Sequence, residues 1–299
     1  MNRIRSFLFN QKVAPYVFVL PFILTFLIFF VYPVVTTVRM SFQDILPGQV
    51  TWVGLGNYQR LLNDRAFRTA VSNSLRYMVW TCAILIPMPL ILACMLNSNS
   101  MVGKTFYRAV LFLPILTSVV VAGTIFRLMF GELPGSLMNQ FRGIFGLEPL
   151  KWLKQKDTAF AALILLACWR WTGVNMVYYL SGLNSIPTEL YESAEIDGAN
   201  AWQRLRYISV PLLRPVVIYV LTISIYGGLA MFTESYMLWA GNNSPKDIGL
   251  TIVGYLYRTG WERNRMGYAS AVGLVLLTLT MLINVVQLRL TGVLGRERD

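Results

Sequence analysis

The chain has 299 residues, 56% of them hydrophobic and 13% charged, with a mean hydropathy of +0.54; soluble domains carry roughly a quarter charged residues, so a water-soluble globule is excluded. The formal net charge is +12, but Lys and Arg are scattered over every loop with no basic stripe and no DNA-binding motif, so no nucleic-acid interface is read from it. There is no histidine, which removes His-based metal sites, Ser-His-Asp triads and Cys-His nucleophiles together.

Apolar runs of about twenty residues recur along the chain, the length a helix needs to cross hydrocarbon. The runs are continuous rather than alternating. Only helices and closed barrels satisfy every backbone group in lipid, and a barrel would need alternation. The reading is therefore all-α: a polytopic membrane protein of about six spans. These are Ala14–Val38, Thr69–Leu96, Phe106–Met129, Thr158–Leu183, Leu212–Leu238 and Met266–Leu288. No composition shift marks a boundary, so residues 1–299 are read as one transmembrane domain.

Arg3, Arg5 and Lys12 precede the first run in the manner of a signal peptide. The run is too long for one, contains Pro21 and Pro33, and is followed by no small-residue cleavage site, so it is read as an uncleaved first helix. Lys and Arg set orientation in membranes. Here they divide almost evenly between the two sides, and the basic N-terminus decides: both termini are expected in the cytoplasm. That places Ser41–Arg68, Phe130–Asp157 and Ala240–Arg265 outside, with Trp52, Trp152 and Trp261 suited to the membrane interface. Cys82, Cys94 and Cys168 all fall inside apolar runs and read as packing residues rather than a disulfide framework.

The most informative stretch is the fourth loop, residues 184–213. Four acids (Glu189, Glu192, Glu195, Asp197) come first, then three bases (Arg204, Arg206, Arg214). Pro187 and Glu189 suit a helix start, and Gly198 suits its end or a tight turn. Asn200 with Gln203 forms the pattern of a capping box for a second short helix, on which Trp202 and Leu205 lie three apart. Pro211, preceded by Val210, is expected to end that helix and open the next span. An amphipathic loop on the lipid surface is the plainer reading, but four acids in its first helix would be repelled by anionic headgroups. The order built into the loop points to a grip for another protein.

This stretch resembles the EAA loop in the permease subunits of binding-protein-dependent ABC importers. That pattern runs Glu-Ala-Ala, three residues, Gly, nine residues, Ile, one residue, Leu-Pro. Glu192, Ser193, Ala194, Gly198, Ile208, Val210 and Pro211 keep its spacing, with Ser193 for the first Ala and Val210 for Leu as the departures. The similarity extends over nearly the whole chain. Ala14-Pro15-Tyr16, Leu20-Pro21, Tyr32-Pro33 and Ser41-Phe42 resemble the first span of sugar-type importers. The segment from Val53 to Tyr58 resembles their first outer loop, and Phe106-Tyr107-Arg108 with Leu113-Pro114 their third span. Tyr191, Asp197-Gly198-Ala199 and Trp202 resemble the maltose or glycerol-3-phosphate type; the extra N-terminal helices and large outer domain of the maltose member have no counterpart here.

The resemblance implies a mechanism. The loop is a coupling helix that docks in a cleft of a separate ATPase subunit, with Glu192 and Asp197 pairing with basic residues there and Gly198 allowing the bend. Closure of two ATPase subunits on ATP rocks the spans between inward-facing and outward-facing states. A solute-binding protein sits on the outer loops, and the permease pairs with a second, related chain or with a copy of itself. ATP and magnesium belong to the ATPase, so this chain binds no cofactor and catalyses nothing. The place is the bacterial inner membrane, in contact with lipid, and the cargo class is a mono- or oligosaccharide or a polyol derivative.

Other chemistry is sparse. Gly103-Lys104-Thr105 is a fragment of the phosphate-loop pattern, but position 98 is Ser98 rather than Gly and no strand precedes it. Of the ionisable residues within spans, Arg76, Arg170 and Glu234 stand out; Glu234 is a candidate for reaching water or an outer gate, and Arg170 for pairing inside the bundle. On the fourth span Ala167, Trp171, Val174 and Tyr178 share a helical face with Asn175 beside it; in similar importers this face lines the substrate cavity. Ser224, Gly228 and Met231 form a comparable face on the fifth, although close helix packing would select the same small residues. The rival is an ion-coupled secondary transporter, which wants paired acids, broken helices or repeats, and the sequence offers one intramembrane acid. A membrane enzyme would need acids at one face, and the only such cluster is the fourth loop.

Overall fold

A computed structural model describes residues 11, 12, 14–98 and 101–293. Arg3 and Arg5, on which the orientation was read, lie outside them. Among the described residues four helices are long and apolar enough to cross a membrane by themselves, and two bent pairs bring the number to six. The chain packs as two compact units. One holds the described residues up to Asn63 with Leu256–Val275; the other holds Asp64–Tyr255 with the described residues from Leu276 on.

In the first unit, helix α1 (Ala14–Ser41) is a single 28-residue helix whose apolar window buries nothing within the chain. It runs through both prolines. Thr25 and Thr37 donate their hydroxyls to the carbonyls of Pro21 and Pro33, each at 2.8 Å. The turn just before Pro33, Leu27–Val31, widens to π geometry, which accommodates a residue that cannot donate to the carbonyl four back. Next comes a hairpin that the sequence reading missed, β1 (Gln43–Leu46) against β2 (Gln49–Trp52), antiparallel with Leu46 opposite Gln49. Its two loop residues are Pro47 and Gly48, the latter at φ +79, a pairing that suits a tight turn. Helix α2 (Gly56–Asn63) follows. Its Asn57 donates to the carbonyls of Ser41 and Gln43, both at 2.9 Å, and fixes the hairpin base.

The second unit is built around one helix. Helix α3 (Arg65–Leu85) is capped by Asp64, whose Oδ1 accepts the amides of Ala66 at 2.8 Å and Phe67 at 3.1 Å. It continues through Ile86 into α4 (Pro87–Asn97), the two forming one span. Helix α5 (Lys104–Leu116) opens directly at Gly103, which is left-handed, so the phosphate-loop fragment is a helix start, with no strand before it among the described residues. Thr117 and Ser118 are extended, and α6 (Val119–Met129) leaves at 95° to α5. The third span is thus broken rather than continuous: Pro114 cannot donate in the last turn of α5, which weakens the helix just ahead of the break.

After α7 (Leu137–Ile144) comes α8 (Lys156–Asn184), the most buried of the spans. Two apolar clusters form along it. One gathers Tyr77, Phe126, Leu163, Leu166, Ala167, Met231 and Leu238; the other gathers Ala93, Leu96, Met176, Tyr179, Leu183, Leu213 and Val220. Close approach is set by glycine: a Cβ on Gly173 would fall on the carbonyl of Leu111, and one on Gly228 would lie 2.8 Å from the Met78 Cα. The remaining helices are α9 (Thr188–Ile196), α10 (Ala201–Leu212), α11 (Arg214–Leu229), α12 (Thr233–Leu238), α13 (Ile252–Tyr257) and α14 (Met266–Leu290).

Two expectations for the fifth span are corrected. It does not run unbroken to Leu238: it stops at Leu229, after Gly227 and Gly228 have weakened the helix, and restarts at Thr233. Pro211 does not end the preceding helix either. The turn Leu205–Ser209 adopts π geometry and carries α10 through to Leu212, with a 70° bend to α11 following. Cys82, Cys94 and Cys168 are free thiols, half-buried or buried.

Candidate functional site

The loop between α8 and α11 is a built object. Helix α9 begins after Pro187 with Glu189 in its first turn, where a carboxylate complements the exposed amides. It closes at Gly198, whose φ of +79 lets its amide return to the Glu195 carbonyl (3.0 Å) and that of Ala199 to Ala194 (2.8 Å). This pair of bonds is a Schellman closure, which needs a left-handed residue at that position. Two residues on, Asn200 caps α10. Its Oδ1 accepts the Gln203 amide at 2.9 Å while Gln203 Oε1 accepts the Asn200 amide at 2.8 Å, the reciprocal box read from the sequence. Such a cap is worth about 1 kcal/mol.

The two short helices are tied together and to the core. Tyr191 Oη and Ser209 Oγ are 2.9 Å apart, and Arg204 reaches Glu195 at 3.0 Å. The ion pair is solvent-facing, so it contributes about 0–1 kcal/mol. Tyr191 and Ile208 pack on the cluster that contains Ile186, Leu183 and Leu213. Ile208 therefore anchors the loop, and Pro211 lies exposed in the last turn of α10. The opposite side of the loop is open. Glu192, Ser193, Asp197 and Gly198 are exposed and Ala194 is half-buried. Among the described residues no base pairs with Glu189, Glu192 or Asp197. Interleaved with these acids are apolar side chains that a free loop would hide: Ile196 at 88% exposure, Tyr207 at 70% and Trp202 at 65%. Trp202 and Leu205, three apart, diverge, for Leu205 is half-buried. Ile196 was missed in the sequence; a single Ile between Glu195 and Asp197 was its only signal.

Along α8 the expected path residues separate into two groups. Trp171 is exposed and Val174 and Tyr178 are half-buried, forming the open part of the face; Ser224 on α11 is half-buried. Tyr178 meets Tyr219 of α11 edge-on at 5.2 Å. These tyrosines, with Ser181, Ser185 and Pro215, line an open groove of about 440 Å³ at the loop end of α8. Ala167 and Met231 are inside the apolar cluster, and Gly228 is the contact point of α11 with α3. Asn175 is buried and donates to the Leu85 carbonyl at 3.0 Å. That carbonyl lacks its helical partner because residue 89 is Pro89, which has no amide hydrogen. Within this chain Asn175 therefore splices the α3–α4 junction.

Arg170 and Glu234, read separately in the sequence, meet: Nη1 to Oε1 is 3.0 Å, with both side chains about nine-tenths buried at 10% and 13% exposure. The pair joins α8 to the first turn of α12, just past the break in the fifth span. Broken spans are a feature of secondary transporters too, but the one intramembrane acid is here already held by a base.

Comparison with known proteins fits this geometry. Residues 13–294 match the family of binding-protein-dependent transport system inner membrane components. The arabinooligosaccharides transport system permease protein AraP of Bacillus subtilis is 49% identical over 96% of this chain and 91% of its own length. AraP of Halalkalibacterium halodurans is 46% identical over 97% and 92%. The lactose transport system permease protein LacF of Rhizobium radiobacter is 33% identical over 91% and 92%. The crystal structure of a bacterial ABC transporter that imports the acidic polysaccharide alginate has the same fold, with a TM-score of 0.86 over 98% of this chain and 100% of that one, at 24% identity. An unbroken family match and a predominantly helical fold of broken and unbroken spans leave one assignment: the chain belongs to the binding-protein-dependent transport system inner membrane components, and is an integral inner-membrane permease subunit of an ABC importer, not an enzyme.

Proposed function

We propose that this chain moves an oligosaccharide or a related sugar from an extracytoplasmic binding protein into the cytoplasm, driven by ATP hydrolysis on a separate subunit to which it couples through residues 184–213. The observation that carries the coupling role is the loop itself: a pre-ordered pair of helices that exposes three unpaired acids beside Ile196, Trp202 and Tyr207. Glu192 and Asp197 pair with bases of the ATPase, Ser193 and Ala194 form the low surface between them, Gly198 sets the turn, Ile208 seats the loop on the permease, and Pro211 ends the coupling segment in the exposed last turn of α10. A desolvated ion pair in such an interface is worth a few kcal/mol, less at the rim. ATP and magnesium belong to the ATPase dimer. A second, related permease completes the path, with both termini of this chain on the cytoplasmic side.

The sugar assignment is supported by relatives whose names are those of arabinooligosaccharide and lactose transporters. Trp171, Val174, Tyr178 and Ser224 are this chain's contribution to the path: an aromatic face stacks a sugar ring, and hydroxyls exchange hydrogen bonds with it. Ala167, Asn175, Gly228 and Met231 shape that face from behind.

The test is stimulated ATPase activity and sugar uptake by the reconstituted complex, with wild-type chain, Gly198→Asp and Glu192→Lys. Both variants are expected to assemble, bind ATP, and lose stimulated hydrolysis and uptake. Uptake that continues without ATP, driven by an ion gradient, would overturn the reading.

A further inference from the structure

Helix α7 is amphipathic in the wrong sense for a helix in water. Its polar residue Asn139 is buried and its large apolar residues are not: Leu137 is 54% exposed, Phe141 57%, Ile144 78% and the following Phe145 65%. Leu137, Phe141 and Ile144 lie on one face by helical spacing, and Asn139 lies opposite. Asn139 is fully engaged with the protein. Its Nδ2 donates to the carbonyls of Leu133 and Leu150, each at 3.1 Å, and its Oδ1 accepts the Leu150 amide at 3.0 Å and Trp152 Nε1 at 2.8 Å. The outward direction of the apolar face is therefore fixed.

The attachment of the helix is fixed as well. The Trp152 carbonyl accepts the Thr158 hydroxyl at 2.6 Å, and the apolar run of α8 starts at Ala159. A chain of contacts from Asn139 through Trp152 to Thr158 thus ties α7 to the end of α8 at which its apolar run starts. The apolar exposure continues into the end of the preceding span, where Leu128 is 68% exposed. Arg142 lies 5.9 Å from the Trp152 ring centre, toward the Asn139 side of the helix, and Lys151 is exposed nearby. An exposed apolar face with bases and a tryptophan on the other side of the same helix matches the boundary layer of a bilayer, where acyl chains take the former and the headgroup layer the latter.

We propose that α7 is an interfacial helix. It lies flat in the bilayer surface on the side of the 130–157 connection and inserts Leu137, Phe141, Ile144 and Phe145 among lipid acyl chains. It anchors the tops of α6 and α8 against tilt while the rest of the transporter moves.

The test places a nitroxide label at Phe141→Cys, Ile144→Cys and the exposed Glu148→Cys in the full-length chain, with Cys82, Cys94 and Cys168 replaced by Ala. The protein is held in nanodiscs of phosphatidylethanolamine and phosphatidylglycerol, and collision rates with oxygen and with a water-soluble nickel chelate are compared. The labels at 141 and 144 are expected to favour oxygen several-fold and the label at 148 the nickel chelate. Nickel access at 141 and 144 equal to that at 148 overturns the proposal by showing the face in water. Shielding of 141 and 144 from both reagents overturns it by showing a protein, such as the second permease, covering the face. Neither result touches the coupling assignment, which the ATPase assay judges separately.

Discussion

Asn175→Ala tests whether a side chain can stand in for a missing backbone donor. The Asn175 Nδ2 lies 3.0 Å from the Leu85 carbonyl in a buried site, and Pro89 leaves that carbonyl with no helical partner. A buried acceptor left unpaired costs about 1–3 kcal/mol, while hydrogen bonds between spans average nearer 0.6 kcal/mol because the unfolded chain in lipid finds other partners. A loss of about 1–2 kcal/mol is expected on these grounds. The assay is denaturant-induced unfolding of the purified full-length chain in detergent micelles. The informative arm is Pro89→Ala, which restores an amide four residues after Leu85. In that background Asn175→Ala should cost markedly less, because the helix now supplies its own donor. Equal losses in both backgrounds, or none in either, would refute the argument that Asn175 replaces the amide.

Arg170→Leu should destabilise the chain by about 3–5 kcal/mol, since it leaves Glu234 buried without its base; adding Glu234→Leu should recover most of that in the same unfolding experiment. Gly173→Ala drives a methyl onto the Leu111 carbonyl and should cost about 1–3 kcal/mol by forcing α5 and α8 apart, read as a fall in thermal midpoint. Gly198→Ala meets no atom within 4 Å, so its cost is the left-handed backbone alone, about 1 kcal/mol. Faster hydrogen exchange at the Ala199 amide, with α8 unchanged, would show it. Ile196→Ser should leave the unfolding midpoint unchanged, because that side chain touches little of its own chain, yet reduce stimulated ATPase activity in the reconstituted complex.

The spans were legible because lipid demands long apolar runs, and the loop was legible because turn chemistry is local. Gly198 had to be glycine for a left-handed closure, and Asn200 with Gln203 completes a cap within four residues. What stayed hidden depends on partners distant in sequence. Nothing near Asn175 points to Leu85, 90 positions away, and Arg170 and Glu234 find each other only when α8 meets α12. The β1–β2 hairpin was overlooked because strands of four residues carry little periodic signal, although Pro47-Gly48 marked its turn. Pro211 misled for the opposite reason. The rule that proline ends a helix assumes ordinary α geometry, and the π turn at Leu205–Ser209 escapes it.

The capped and closed loop between α8 and α11 also has a thermodynamic consequence. A segment that orders only on contact forfeits about 2–5 kcal/mol of its interaction energy to ordering. Here the conformational entropy is surrendered when the chain folds, so a partner meets a finished surface and can release it as readily as it binds. A stiff loop also transmits displacement instead of absorbing it. Seated through Ile186 at the end of α8 and through Leu213 at the start of α11, it would act as a short lever that turns a push from below into movement of both helices at once.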